Sequence, residues 1–357
     1  MTHEQNNPPP DTQKEMIEYD VIIIGAGPGG LNCAKILSQN NFKILVIEKN
    51  RIIGPKVCAG GLLNHTQCYL NLPEELIENR FDEITFSTPT RKKTLKLDHN
   101  NTIFTINRET LSQWQMEQLD KSRVSILKET KVTEINSDHV IVNNSQKIFF
   151  KYLVGADGSN SITRKHLGLN KERKGLGLQY IIPTDKYRDL EIHFDSSLFY
   201  SWYAWIFPHR NYVSIGTVGS PDHIPAKRIK KNLLEWLKAE NIDYSCGEFQ
   251  AFPINSDFKG FQFENIFLIG DAAGLASEFS GEGIYQALVS GEEAAKKIMD
   301  KKYEPVNLKA LLSKKRLHLR LSLCLEKSDR ARNILFEVFI LSLKNRYLSN
   351  AGMRYFA

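Results

Sequence analysis

Tyr19-Asp20-Val21-Ile22-Ile23-Ile24-Gly25-Ala26-Gly27-Pro28-Gly29-Gly30 joins an apolar run of strand length to a glycine-rich turn. A helical pattern follows from Leu31 to Gln39, and a second buried strand, Lys43 to Ile47, ends at Glu48. Strand, turn, helix and strand form a βαβ unit with the GxGxxG spacing of a dinucleotide site. Gly25 permits the tight turn, Gly27 lets the backbone approach a pyrophosphate, and Gly30 allows close helix–strand packing; Gly29 lies in the same turn. The helix N-terminus offers free N–H groups and a positive dipole end. Glu48, 18 residues after Gly30, is placed to accept hydrogen bonds from a ribose, with Lys49 beside it. A bare glycine turn with a surface Glu is the bland alternative, and the strand, helix and acid together argue against it.

Working outward, 357 residues correspond to about two domains. A composition of 41% hydrophobic and 25% charged residues excludes wholesale disorder, collagen-like repeats and a small disulfide scaffold. No apolar run approaches the roughly 18 residues of a membrane span, and the longest candidate, Ile334 to Leu343, contains Glu337. The polar, Pro-rich N-terminus has no apolar h-region. Five cysteines without a CxxC pair fit a reducing compartment. The expectation is a soluble, cytoplasmic protein. The net charge of +6 is uneven: residues 301–357 hold 13 Lys and Arg against 4 Asp and Glu. Such a segment either faces anionic lipid or is a solvated helical face. No nucleic-acid-binding pattern accompanies it, so no nucleic-acid partner is expected.

Beyond the first unit, short alternating strands are predicted at Phe81 to Ser87, Thr94 to Leu97 and Thr102 to Ile106. A helix (Glu109 to Asp120) and strands near 123–135, 139–142 and 147–154 then resume the nucleotide-binding pattern. Residues 176–218 alternate again with many aromatics, and 226–240 carry Ile229, Leu233, Leu234, Trp236 and Leu237 on one side of a helix. A strand, Ile266 to Ile269, enters Gly270-Asp271-Ala272-Ala273-Gly274, and helices fill most of the rest. The expected fold class is α/β with an α+β insertion. Residues 1–18 form a disordered lead-in; 19–61, 107–170 and 262–300 a discontinuous Rossmann-like domain; 62–106 and 171–261 a β-rich substrate-binding domain; and 301–357 a basic helical C-terminus.

Two more constellations complete the nucleotide-binding pattern. Gly155-Ala156-Asp157-Gly158-Ser159-Asn160-Ser161, followed by Arg164, succeeds an apolar strand end; on its own it could be a turn with Asp157 as a helix cap. The GDAAG segment leads to Ser280-Gly281-Glu282-Gly283-Ile284. An Asp at a strand's C-terminal end can bind ribityl hydroxyls, and the helix after it can aim its N-terminus at a pyrophosphate or a reduced isoalloxazine. All three constellations in this order, over roughly residues 20–300, resemble the flavoprotein hydroxylase superfamily with the para-hydroxybenzoate hydroxylase fold. The resemblance implies FAD, with Gly25, Gly27, Gly29, Gly30, Glu48 and Lys49 on the ADP half. It places Asp157 beside the pyrophosphate, Asp271 on the ribityl chain, and Gly281, Gly283 and Ile284 at the flavin end. Arg108, in Asn107-Arg108-Glu109, resembles the arginine this family places near the flavin. A second GxGxxG, and with it a separate NAD(P)H domain, is absent.

Tyr203-Ala204-Trp205-Ile206-Phe207-Pro208, with Gly216 after seven intervening residues, resembles the YxWxFP-x7-G signature of the geranylgeranyl reductase family. Pro55-Lys56-Val57-Cys58-Ala59-Gly60-Gly61 is similar to that family's Cys-containing loop, although many members read CGG where this chain has CAGG. Flavin-dependent halogenases carry a related WxWxIP, from which Tyr203 and Phe207 depart. Tyr203, Trp205 and Phe207 share a strand face and are the expected substrate wall, because a prenyl chain needs a water-excluding apolar tunnel. Cys58 is the candidate proton source or regulator of flavin reactivity, against the alternative of a small buried hydrophobe.

The resemblance implies an FAD-dependent reductase that saturates isoprenoid double bonds of a lipid, quinone or related substrate, with NAD(P)H or a ferredoxin as electron donor. The alternatives are a monooxygenase of the same fold acting on an aromatic or polyprenylated ring, and a non-enzymatic flavin redox sensor. Cys33, Cys68, Cys246 and Cys324 read as structural, and His209, directly after the aromatic motif, as part of a surface turn rather than a contact to a polar head group. Leu311 to Leu343 either reaches a bilayer as a peripheral amphipathic element or packs against the FAD domain.

Overall fold

Val21, Ile22, Ile23 and Ile24 are all buried, as a strand must be when both faces of a parallel sheet are covered. They belong to β1 (Glu18–Ile24), which α1 (Pro28–Ser38) links to β2 (Ile44–Ile47). Further along lie α2 (Arg108–Glu117), β3 (Gln146–Gly155), the hairpin β4 (Ala204–Pro208) and β5 (Tyr212–Gly219), and β6 (Ile266–Leu268). Three helices, α3 (Ile284–Met299), α4 (Val306–Glu326) and α5 (Asp329–Ser342), close the described part of the chain. The computed structural model describes residues 18–98, 101–170 and 174–343. The lead-in therefore lies outside the described residues except for Glu18, as does the end of the basic segment, 344–357.

Among the described residues the strands form sheets of eight, seven and three. In the largest, β6, β3, β1 and β2 run parallel side by side. The seven-stranded sheet runs from 248–255 through 174–183, β5, β4, 191–193 and 83–88 to an edge at 91–96. The small sheet joins 61–63, 103–105 and 79–81. Helix α1 begins at Pro28, three residues earlier than its apolar pattern, because proline's fixed φ suits a first helical turn that has no N–H partner to lose. The single strand expected over Phe81–Ser87 is two: Asn79–Phe81 in the small sheet and Glu83–Thr88 in the seven-stranded one. The chain changes sheets at Asp82, which period-2 alternation does not reveal. The helix expected at 226–240 forms over Ala226–Ala239 and buries Ile229, Leu233, Trp236 and Leu237.

Candidate functional site

Ile24 pairs with both Gly155 and Ile47, so the carboxyl ends of β1, β2 and β3 lie at one level. β6 joins them through Ile269 N–H, which donates to Gly155 C=O at 3.0 Å. In open α/β sheets ligands bind beyond such strand ends. There the glycine turn, Glu48, Asp157 and Asp271 emerge from four different strands. Every site residue named from the sequence lines one cavity of about 480 Å³, whose walls also include the β4 aromatics.

The polar end of the cavity suits a dinucleotide. The N-cap Gly27 brings no side-chain hydrogen bond to α1, which leaves first-turn N–H groups free for an anion. A Cβ built on Gly27 would meet nothing within 4 Å. Glu48 accepts from Ala26 N–H (3.0 Å) on one oxygen and Asn50 N–H (2.9 Å) on the other, fixing the carboxylate with lone pairs to spare. Lys49 is exposed at the rim. Asp271 accepts from Lys56 Nζ (3.0 Å) and Ser159 Oγ (2.9 Å). Asp157 Oδ2 accepts from Ile162 and Thr163 N–H, the cap geometry, and burial pushes its carboxyl above the usual range. Its Oδ1 is shut from solvent without a partner, as is Arg108 Nε at the start of α2. Orphaned buried groups of both charge types beside an uncapped helix fit FAD, with its diphosphate and polar ring edges. Arg164 is itself buried, and its guanidinium donates to the Ala272 and Asp257 carbonyls. It braces the GADGSNS segment against GDAAG.

The apolar end is built by the hairpin. Trp205 pairs with Gly216 across β4 and β5. A Cβ on Gly216 would come within 2.5 Å of the indole and 2.3 Å of Leu178 C=O. The seven-residue spacing of the motif is therefore the spacing of a cross-strand pair in which the glycine makes room for the ring. Trp205 Nε1 donates to Ser214 Oγ at 3.0 Å, and Tyr203 donates its hydroxyl to Ser280 C=O. Gly61 lies flat against Phe207, where a Cβ would be 2.4 Å from the ring, so the Cys58 loop docks on the aromatic strand. Cys58 lines the cavity, and its Sγ accepts from Gly60 N–H at 3.4 Å.

His209 is not on a surface turn. It is 5% exposed, stacks on Tyr212, hydrogen-bonds through Nδ1 to Glu78, and through Nε2 to Ala59 C=O at 2.9 Å. Its ring thus ties the Cys58 loop to the end of β4. Replacing His209 by Ala should lower turnover with FAD content unchanged and cost about 1–3 kcal/mol in denaturant unfolding, since Glu78 keeps only the Tyr212 hydroxyl and Ala59 C=O loses its donor. The structural reading of the other cysteines holds for Cys33, which is buried; Cys68, Cys246 and Cys324 are exposed and fill no core space.

Glu282, in the turn before α3, is a site residue that sequence reasoning misses. It lines the cavity, Oε2 accepts from Gln286 Nε2 at 3.1 Å, and Oε1 is buried without a partner. Burial pushes its carboxyl up to about 7, offset in part by Gln286 and by Lys314 of α4. Tyr203 lies within the electrostatic reach of both Glu282 and Cys58, and burial first, then those two groups, push its phenol upward. An acid flanked by two glycines, before a helix in a cofactor motif, is the only signal the sequence offers for it.

Strand ends that carry a phosphate cradle, joined to an aromatic-walled chamber, define a Rossmann-like flavoprotein. Residues 18–300 match the family described as FAD binding domain, and the chain belongs to that family. It is an FAD-dependent oxidoreductase with geranylgeranyl reductase-like homologues. It is 26% identical over 335 residues to digeranylgeranylglycerophospholipid reductase 1 of Methanosphaera stadtmanae, covering 85% of this chain and 79% of that protein. It is 25% identical over 313 residues to geranylgeranyl diphosphate reductase of Rhodobacter capsulatus, covering 82% and 78%. A geranylgeranyl bacteriochlorophyll reductase-like structure from Thermoplasma acidophilum superposes with TM-score 0.78 at 20% identity over 93% of this chain and 92% of that one. p-Nitrophenol 4-monooxygenase of Pseudomonas putida gives TM-score 0.73 at 16% identity over 96% and 98%. These two likenesses concern the fold alone, which reductases and monooxygenases share.

Proposed function

We propose that this protein reduces isoprenoid double bonds of a geranylgeranyl-type lipid or related prenyl substrate. The observation that carries the reading is the continuity of one cavity from the dinucleotide cradle at Gly27 to an aromatic wall of Tyr203, Trp205 and Phe207 with Cys58 beside it. The names of the relatives in M. stadtmanae and R. capsulatus point the same way. FAD, when bound and reduced by NAD(P)H or a ferredoxin, supplies a hydride to one carbon of the alkene. The chain supplies position, dryness and the proton. Gly25, Gly27 and Glu48 would hold the ADP half, Asp157 and Asp271 the linker, and Arg108, Gly281, Gly283 and Ile284 the ring end, while Gly29 and Gly30 let α1 pack at backbone contact. The aromatic wall holds the apolar chain at the reacting distance and keeps water out, because an unactivated alkene gives the enzyme little else to grip. The Cys58 thiol delivers its proton to the second carbon, and the resulting thiolate recovers one from the Glu282 carboxyl, which solvent recharges. Each cycle adds two hydrogens to one double bond.

The test is anaerobic. The flavoprotein is reduced chemically and mixed with geranylgeranyl diphosphate or a geranylgeranylated lipid, and flavin reoxidation is followed together with product mass. Reoxidation with product heavier by two hydrogens per step is expected. A flavin that stays reduced until air enters, with substrate-dependent oxygen uptake, would transfer the assignment to the monooxygenase class. In the same assay Cys58→Ser should retain full yellow FAD and react about a hundredfold or more slowly, the range of a lost proton donor. Wild-type rates in that variant would remove Cys58 from the mechanism.

A further inference from the structure

Helix α5 is apolar on two sides. Phe336 and Ile340 are buried in the same cluster as Ile84, Tyr203, Trp205 and Val218, four residues that line the cavity. The other side shows Ile334, Leu335, Val338 and Leu341 at 61, 45, 54 and 40% exposure, and Leu323 near the end of α4 adds 39%. Single exposed apolar residues are ordinary. Positions 334, 338 and 341, however, follow one another along a single helical face, and a contiguous patch of this kind marks a contact site.

Its surroundings are basic. Arg316, Arg320, Lys327 and Arg330 are exposed along α4 and at the start of α5. Strand 91–96, which packs beside α5 at the sheet's open edge, carries Arg91, Lys92 and Lys96, each paired with an acid (Glu337, Glu191 and Glu83), so the basic character comes from the helices. Two nearby acids are already engaged, Glu337 with Arg91 and Asp329 with Arg332. Over 306–342 there are eight Lys or Arg against three Asp or Glu. Among the described residues no helix is long and apolar enough to cross a membrane. A half-apolar, half-basic surface suits a helix that lies in the plane of an anionic bilayer, with its apolar residues below the headgroups and its cations among them.

We propose that the outer face of α5 and the end of α4 dock this enzyme on an anionic lipid surface. With α5 seated in the headgroup layer, the aromatic wall of the cavity stands one helix diameter, ~10 Å, from the lipid. The side of the molecule that carries Tyr203 and Trp205 then faces the bilayer in which a prenyl chain is anchored. The docking gives the proposed lipid reductase its route to substrate, and it rests on that reading only for its purpose.

The full-length, FAD-loaded protein is sedimented with vesicles of phosphatidylcholine alone and of phosphatidylcholine with phosphatidylglycerol, at low and high salt. Binding is expected only with phosphatidylglycerol and should weaken in salt. Ile334→Ser/Val338→Ser should bind at least about tenfold more weakly, and Arg330→Glu about fivefold or more. Both variants alter exposed positions, so turnover on water-soluble geranylgeranyl diphosphate stays at the wild-type level while turnover on vesicle-borne prenyl lipid falls. Absence of wild-type binding to the anionic vesicles, or unchanged binding by the double variant, overturns the proposal. A vesicle-free dimer that the double variant dissociates also overturns it and assigns the face to a second copy of the chain. Vesicle binding with no turnover on any prenyl substrate leaves the docking in place and removes the proposed reaction instead.

Discussion

Gly27→Val protein should purify folded and colourless. The two halves of that result have separate causes. A Cβ at Gly27 meets nothing within 4 Å, and the residue's φ of −77° is open to any amino acid. The substitution therefore costs the fold little. The space it fills is the approach to the N-terminus of α1, where a diphosphate would lie against free N–H groups. Valine there leaves neither room nor contact for phosphate oxygens, and FAD affinity should fall by about two orders of magnitude or more, a steric penalty of a few kcal/mol. Gly29, two residues on, provides the contrast. A Cβ there lies 2.5 Å from the Ala287 carbonyl, because α1 and α3 cross at backbone contact. Gly29→Val should lower the melting temperature of the apoprotein as well as its FAD content. Circular dichroism and flavin absorbance of the two variants separate the roles. A Gly27→Val protein that stays yellow through dialysis would show that the dinucleotide lies elsewhere.

Elements whose signal is local were legible in the sequence. The β1–α1–β2 unit declares itself through strand, glycine turn, helix and terminal acid, and the structure puts Glu48 in contact with the turn it follows through Ala26 N–H. The aromatic motif was legible as a pattern, but its meaning as a Trp205–Gly216 cross-strand pair needed the hairpin register. What escaped depends on contacts distant along the chain. His209 is buried by Glu78 and Ala59, 131 and 150 residues away, and nothing near it in sequence distinguishes it from a turn histidine. The switch between sheets at Asp82 is silent because alternation continues across it. In sequence Glu282 is one residue of a glycine turn, because two of the groups that share its electrostatics, Tyr203 just before β4 and Lys314 on α4, lie outside the motif.

Glu282→Gln should cut turnover about a hundredfold and abolish the alkaline limb of the pH profile. In the wild type the carboxyl titrates near pH 7. The groups around it are Gln286, which donates to Oε2, Lys314, which favours the anion, and the phenols of Tyr203 and Tyr285, which sense its charge. Below pH 7 the acid holds the proton that recharges Cys58, and turnover is level. As pH rises through 7 it ionises and turnover falls, by up to tenfold per pH unit. Glutamine keeps the shape and the contact with Gln286 but has no proton to give, so the residual rate no longer follows this titration. The same group acts on stability with a definite sign. Its folded value lies above the unfolded reference of 4.5, so its contribution is intact below that pH. It is lost as pH climbs through about 7, by on the order of 3 kcal/mol in the apoprotein. Glu282→Gln apoprotein should therefore unfold at higher denaturant than wild type at pH 8 and match it at pH 4. A variant whose pH–rate profile keeps the wild-type limb would show that another group holds the proton, while an unchanged stability difference between the two pH values would show that the fold does not raise the Glu282 carboxyl.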